Sequence, residues 1–142
     1  MALPENRTMR EHIKLIWQAL KRDALSDLKK NSTLIPIPEP YIIPGGRFRE
    51  IYYWDSYFTM HGLLADGEIE IVENMVANFA YLINEFGFIP NGNRVYYLTR
   101  SQPPFFAPII ELICKYKNDY NWGLKYLPQI EKEYQFWCGD KS

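Results

Sequence analysis

Aromatic rings and charged side chains are closely mixed in PGGRFREIYYWDSYF, which spans residues 44–58. Its two adjacent glycines permit positive-φ turns, which would bring the Arg47 guanidinium round beside the rings that follow. A planar charged donor can bind hydroxyl groups through paired hydrogen bonds, and a flat ring can pack on the C–H side of a sugar. With Trp54 and Asp55 supplying a ring and an acceptor, the stretch predicts a site for a neutral polyhydroxylated ligand.

The same stretch also has a purely structural interpretation. Arg47 and Asp55 could form an ion pair beside the helix that is predicted to begin at Ser56, while the neighbouring rings fill the core. The chemistry of the residues favours neither interpretation over the other, so both stay open at this point.

A second polar loop, IPNGNRVYYLTRSQPP at residues 89–104, carries similar residue types. Asn91 lies in an Asn-Gly turn dipeptide, and Arg100, Ser101 and Gln102 precede a proline pair that can start a helix. A plain solvated hairpin would explain the Asn-Gly turn equally well. Both loops join helices in the same sense, however, so stacked hairpins would place them at one rim. We therefore predict one shared concavity, into which point Arg47, Asp55, Asn91 and Arg100.

The elements that must hold these loops are predicted to be mostly helices. Thr8 and Glu11 match a capping box at the start of an amphipathic helix over residues 9–22. Four prolines then remove backbone donors over residues 31–44, which predicts an extended segment. The isoleucines of this Pro-rich segment favour packing against the helices over a free linker.

Two helical hairpins are predicted after the Pro-rich segment. Apolar residues at a period near 3.6 mark the second helix of the first hairpin, and Gly87 is suited to a left-handed C-cap. The last helix is interrupted or restarted at Pro128. This rhythm predicts an all-α fold of stacked αα-hairpins. The predicted helices cover residues 56–65, 68–86, 105–116 and 123–137.

Composition limits the class of partner. The 142 residues suffice for one domain with a modest core, and the aromatic share of 16% is high for a small domain. A net charge of -1 argues against binding to nucleic acid or to an anionic membrane. No stretch approaches the roughly 20 apolar residues of a membrane span. We therefore expect a small neutral partner, with no nucleic acid and no membrane.

Metal and phosphate chemistry find little support in the sequence. His12 and His61 lack a metal-type partner three or four residues away. Cys114 and Cys138 match neither a zinc spacing nor a disulfide-dense scaffold. The glycine pair at Gly45 precedes a polar and aromatic stretch instead of linking a strand to a helix, so it is not a phosphate loop. We expect no metal and no cofactor.

The stretch PGGRFREIYYWDSYF resembles the first signature of the trehalases, the inverting glycoside hydrolases that split α,α-trehalose into two glucose molecules. The resemblance continues through IPNGNR, YYLTRSQPP and EKEYQFW in the order and spacing of that family. It implies an (α/α)6 toroid, a ring of helical hairpins around one axis. It also implies substrate-binding roles for Arg47, Trp54, Asp55, Asn91, Arg100, Ser101 and Gln102. Phe48 and Tyr52 are implied as wall residues of the same site.

The resemblance further implies that the reacting groups lie elsewhere. The family's catalytic acid, an Asp, and its catalytic base, a Glu, are expected beyond Ser142, so Asp55 takes neither role and the 142 residues alone should be inactive. We interpret residues 1–142 as an N-terminal fragment of a single trehalase catalytic domain, whose remainder is the expected partner. The alternative is a non-catalytic, truncated trehalase-like module that binds sugar weakly or only packs against the rest of a toroid.

The expected location depends on where the natural chain starts. The opening residues, MALPENRTMREHIKLIW, lack the apolar core of a secretory signal peptide. We therefore expect a cytoplasmic protein if Met1 is the natural start. With any other start the compartment stays open, and a soluble periplasmic or secreted protein is compatible with the sequence.

Overall fold

A computed structural model describes residues 5–24 and 32–139 of the chain. This part of the chain is mostly helical, as predicted, with one short antiparallel sheet and a 3-10 turn at Val95–Tyr97. None of its helices is long and apolar enough to cross a bilayer. In chain order the elements are α1 (Met9–Leu20), β1 (Lys21–Arg22), β2 (Tyr41–Ile42), α2 (Tyr53–Ala65), α3 (Ile69–Phe86), α4 (Phe106–Lys117), α5 (Asn121–Leu124) and α6 (Leu127–Cys138).

The start of α1 has the predicted capping box. The Thr8 hydroxyl accepts a hydrogen bond from the Glu11 N–H at 3.3 Å, and the Glu11 carboxylate accepts one from the Thr8 N–H at 2.8 Å. The helix ends at Leu20, short of the predicted residue 22. The reason is tertiary, because the next two residues pair as β1 with β2, an interaction that helical periodicity in α1 does not report.

The Pro-rich segment packs against the helices, which confirms the choice of a crossing segment over a free linker. The side chain of Asn78 in α3 binds the backbone of this segment through two hydrogen bonds. Asn78 Oδ1 accepts from the Glu39 N–H, and Asn78 Nδ2 donates to the Glu39 carbonyl, both at 2.8 Å. Residue 31, the first of the predicted segment, lies outside the described residues. The segment's buried isoleucines are Ile35, Ile37, Ile42 and Ile43.

The first hairpin consists of α2 and α3, joined by a turn at Gly67, whose φ is 78°. Gly87 ends α3 in the left-handed region, with φ at 81°, as its position after the apolar stripe predicts. The start of α2 was predicted at Ser56 but lies at Tyr53. No side chain caps this end, so the usual start signal is missing.

The second hairpin consists of α4 and α6, with the short α5 between them. Asn118 ends α4 with a left-handed φ of 51°, and α6 restarts at Leu127 with Pro128 in its first turn, as predicted. Gly123 of α5 lies tightly against α4. A Cβ at this glycine would stand 2.7 Å from Cys114 Sγ, so a side chain here would force the two helices apart.

The two hairpins are stacked so that the N-termini of α2 and α4 lie together. The ring of Phe105, which precedes α4, is 6.1 Å from Trp54 and 5.9 Å from Phe58, both in the first turns of α2. α2 packs on α3, and α4 and α6 continue the same arrangement. The loops that precede α2 and α4 therefore emerge at the same end of the stack. The core beneath them includes Ile37, Met60, Phe79, Ile83 and Phe106.

Asn93 joins the Pro-rich segment to both loops. Its side chain is fully buried; Oδ1 accepts from the Ile51 N–H at 3.0 Å, and Nδ2 donates to the Ile35 carbonyl at 3.1 Å. The Asn93 carbonyl also accepts from the Ile35 N–H at 2.8 Å. One amide thus satisfies backbone groups on two segments far away in sequence.

Asn93→Ala is expected to destabilise the chain by about 2–5 kcal/mol, because it strands one buried N–H and one buried carbonyl. Asn93→Asp should cost at least as much, since it keeps the acceptor for the Ile51 N–H but buries a carboxyl group against the Ile35 carbonyl. The measurement is urea unfolding followed by tryptophan fluorescence. Asn121→Ala, at an exposed position, is the control and should stay within about 0.5 kcal/mol of the parent. Equal stabilities for Asn93→Ala and the parent would contradict this role of Asn93.

Candidate functional site

The two predicted loops are hydrogen-bonded neighbours. Tyr52 and Gly92 form an antiparallel bridge, and the Tyr53 N–H donates to the Asn91 carbonyl at 3.4 Å. Within the second loop the Asn91 N–H donates to the Arg100 carbonyl at 3.1 Å. The backbone therefore brings the two motifs to one rim, which the stacking of the hairpins predicted.

Gln102 and Ser101 use their side chains to hold this arrangement. The Gln102 carbonyl oxygen Oε1 accepts from the Trp54 N–H at 3.0 Å, which fixes the second loop against the first turn of α2. The Ser101 hydroxyl donates to the Ile89 carbonyl at 2.6 Å. Beside them the Trp54 side chain remains 39% exposed. A partly exposed indole and the Gln102 side chain thus belong to the same junction of the two loops.

A continuous row of side chains, here called the ring row, links the guanidinium groups of the two loops. Arg47 lies over Phe48 at 5.0 Å, and Phe48 meets Tyr52 edge-on at 5.4 Å. Tyr52 contacts Tyr97 at 6.0 Å, and Arg100 lies over Tyr97 at 5.1 Å. Arg47 and Arg100, both exposed, therefore stand at the two ends of this row, whose middle ring, Tyr52, is buried.

The structural interpretation of Arg47 and Asp55 is not what the structure shows. Over residues 5–24 and 32–139 the ion pairs join other residues, and the Arg47 guanidinium lies on a ring instead. Asp55 is partly exposed in the first turn of α2. One part of that interpretation does hold, because the neighbouring Tyr53 is fully buried in the core.

Two residues of this arrangement were not predicted, Glu50 beneath the ring row and Tyr97 within it. Glu50 is buried and accepts hydrogen bonds from Arg94 Nε at 2.7 Å and from the Tyr52 hydroxyl at 2.9 Å. Burial alone would raise the pKa of Glu50, but these hydrogen bonds and the Arg94 charge outweigh it and hold the pKa below the ordinary value. Tyr97, the other missed residue, completes the row. The spacing of Glu50 and Tyr52 was the available signal, because residues two apart in an extended segment share a face.

A second buried carboxyl lies behind the site. The Tyr53 hydroxyl donates to Glu133 Oε1 of α6, and the Phe106 N–H at the start of α4 donates to the Tyr53 oxygen at 2.8 Å. Three helices thus meet at one hydroxyl. Burial raises the pKa of Glu133 above its ordinary 4.5, because the hydrogen bond from Tyr53 offsets the loss of solvation only in part.

The raised pKa of Glu133 predicts a pH-dependent stability. A carboxyl with a higher pKa in the folded state contributes stability that is present below the unfolded pKa of 4.5 and is lost as the pH rises through the folded pKa. Relative to Glu133→Gln, the parent chain should therefore lose unfolding free energy as the pH rises from 4 towards neutral. Urea unfolding across this range measures the difference. The exposed Glu131→Gln should run parallel to the parent, and a parallel Glu133→Gln curve would contradict the prediction.

The paired hairpins and the rim loops are the architecture of part of an (α/α)6 toroid. The chain belongs to the trehalase family, whose family model matches residues 1–142. It is 56% identical over 135 residues to the periplasmic trehalases of Shigella flexneri serotype 5b and Escherichia coli strain SMS-3-5. A neutral trehalase structure from Saccharomyces cerevisiae is similar with a TM-score of 0.61 and 33% identity, over 94% of this chain and 26% of that one. These matches confirm the resemblance read from the motifs.

The matches also show how much of a trehalase is represented. The alignment to the bacterial relatives covers 94% of this chain and 23% of theirs, so the chain spans about a quarter of their length. The expectation of a cytoplasmic protein is wrong, because these relatives are named periplasmic trehalases. The lack of a signal-peptide core in the residues after Met1 does not determine the location of the protein, since it concerns these opening residues alone.

Proposed function

We propose that this chain supplies substrate-binding loops to a glycosidase that hydrolyses α,α-trehalose into two glucose molecules with inversion. The observation that carries the proposal is the ring row, which connects the exposed guanidinium groups of the two loops through ring contacts. The same two loops also carry the partly exposed Trp54 ring and the Gln102 side chain, which accepts from the Trp54 N–H. Guanidinium donors, amide groups and exposed rings together match the hydroxyls and C–H faces of a neutral sugar.

Some of the predicted residues are proposed to contact the sugar, and the others to position the two loops. Arg47, Arg100, Asp55 and Asn91 would bind sugar hydroxyls, and the exposed rings of Trp54 and Phe48 would pack on the apolar face of the sugar. Contacts of this kind that tighten as the sugar ring flattens towards the transition state raise turnover as well as affinity. The remaining predicted residues position the two loops through hydrogen bonds: Tyr52, Ser101 and Gln102.

The chemistry itself requires two carboxyl groups about 6.5–9.5 Å apart, one protonating the glycosidic oxygen and the other activating water on the opposite face. We assign neither role to Asp55, and we place both groups in the family's other segments, beyond Ser142. In this proposal residues 1–142 are an N-terminal part of one catalytic domain, and the remainder of that domain completes the site. A periplasmic location agrees with the names of the bacterial relatives.

The last hairpin supports a larger assembly over a self-contained module. Tyr134 and Trp137 of α6 are 66% and 43% exposed, on a helix whose opposite side packs against α3 and α4. Large rings on this face match the toroid arrangement, in which each hairpin is covered by the next one. Other large apolar side chains of this hairpin are partly buried within the chain itself: Trp122, Tyr126 and Ile130.

The test is a chimera in which residues of this chain replace the matched 135-residue segment of the Escherichia coli SMS-3-5 periplasmic trehalase. The chimera is expected to release glucose from trehalose at a rate comparable with that of the parent enzyme. The control is a matched assay with maltose, an isomeric disaccharide with a different linkage. A chimera that melts as sharply as the parent enzyme and yet leaves trehalose intact would contradict the proposal.

A further inference from the structure

The Glu50 carboxylate is the most heavily bonded acidic group near the rim. It is only 6% exposed and accepts from three donors: Arg94 Nε at 2.7 Å, the Tyr52 hydroxyl at 2.9 Å and the Arg49 N–H at 3.2 Å. Arg94 belongs to the second loop and also donates to Thr33 Oγ1 of the Pro-rich segment at 3.3 Å. One carboxylate therefore connects both loops and the segment beneath them.

This connection acts on the middle of the ring row. The Tyr52 hydroxyl gives its single proton to Glu50, so the Tyr97 hydroxyl, 3.2 Å away, is the donor to the Tyr52 oxygen. The order of protons along this chain of groups is thus set by Glu50. Hydrogen bonds to a charged acceptor are shorter and stronger than neutral ones, so this bond favours one orientation of the Tyr52 ring.

The orientation of Tyr52 in turn determines where the guanidinium groups stand. Arg47 reaches Tyr52 through the Phe48 ring, and Arg100 reaches it through the Tyr97 ring. A tilt of the central ring would change the distance between the two ends of the row. Two donors that must meet hydroxyls on one disaccharide tolerate little change of this kind, because a misplacement of about 1 Å can cost roughly a hundredfold in rate.

We propose that Glu50 is a positioning residue for sugar binding, which holds Tyr52 and thereby sets the separation of Arg47 and Arg100. The proposal rests on the proposed function of the rim. Apolar residues of similar volume often replace a buried ion pair at little cost in stability, so stability alone does not account for the Glu50–Arg94 pair. The Glu50–Arg94 pair instead supplies a fixed acceptor at the point where the two loops meet.

The first measurement follows the guanidinium groups directly, in the 142-residue chain, by NMR of the arginine Nε–Hε signals. Rings beneath Arg47 and Arg100 shift these signals upfield. In Glu50→Gln both signals are expected to move towards the values of unstacked arginine. Glu73→Gln, which removes the ion pair with Lys117 on α4, is the matched control and should leave them in place. Unmoved Arg47 and Arg100 signals in Glu50→Gln would overturn the proposal.

The second measurement is kinetic and uses the chimera. Glu50→Gln and Tyr52→Phe are each expected to lower kcat/KM for trehalose by about 10- to 100-fold, and Glu50→Asp should recover part of the loss. The double variant should lose little more than the worse single variant, because both changes act through one hydroxyl. If the losses of the two single variants multiply in the double variant, Glu50 has a merely structural role. The same holds if the loss of kcat/KM follows the melting temperature alone. An inactive parent chimera would refute the proposed function, whereas an active parent with an active Glu50→Gln refutes only the role of Glu50.

Discussion

The isolated 142-residue chain is expected to release no glucose from trehalose above the uncatalysed rate. Inverting hydrolysis needs two carboxyl groups that act as a unit, and removing a member of such a unit removes most of the rate. Among the described residues at the rim, Glu50 is already held by Arg94 and Tyr52 and cannot serve as an acid or a base. Asp55 alone cannot perform both roles.

The measurement for the isolated chain is a coupled glucose assay with the chimera as positive control. Equal molar amounts of the two proteins are compared over the same time, and circular dichroism shows whether the isolated chain is helical under the assay conditions. A rate near that of the chimera would contradict the division between binding loops here and reacting groups elsewhere. Asp55→Asn would then be the next variant to examine, because Asp55 would have to take part in the chemistry.

In the chimera, Arg47→Ala is expected to lower kcat/KM for trehalose by roughly 10- to 150-fold. The variant leaves sugar hydroxyls without a charged partner, and a hydrogen bond to a charged group contributes about 1.5–3 kcal/mol. The Arg47 guanidinium is exposed and lies on the Phe48 ring instead of in an ion pair within the described part of the chain. Its donors are therefore available to a ligand.

Stability separates this effect from damage to the fold. Because Arg47 is exposed, its replacement should change the unfolding free energy by no more than about 0.5 kcal/mol. The control is Arg10→Ala, which removes an exposed charge on α1 and should leave kcat/KM unchanged. An unchanged kcat/KM in Arg47→Ala would remove Arg47 from the site. A large drop in melting temperature would instead assign it a structural role.

The sequence predicted those features that depend on a few neighbouring residues. The capping box of α1, the left-handed end of α3 at Gly87 and the restart of the last helix at Pro128 all follow from backbone geometry within one turn. The start of α2 was misplaced because Tyr53 and its neighbours carry no start signal. The early end of α1 was missed because the partner of β1 lies in a distant segment.

The sequence by itself determined the family and the two loops, because those depend on motifs that can be compared letter by letter. Only the tertiary structure decided which groups stay available at the rim. Arg94 reaches Glu50 across 44 positions, Gln102 binds the Trp54 backbone across 48, and Tyr53 finds Glu133 across 80. Such partners are set by how the hairpins stack, and residue type and local spacing contain no information about distances between segments that meet only after folding.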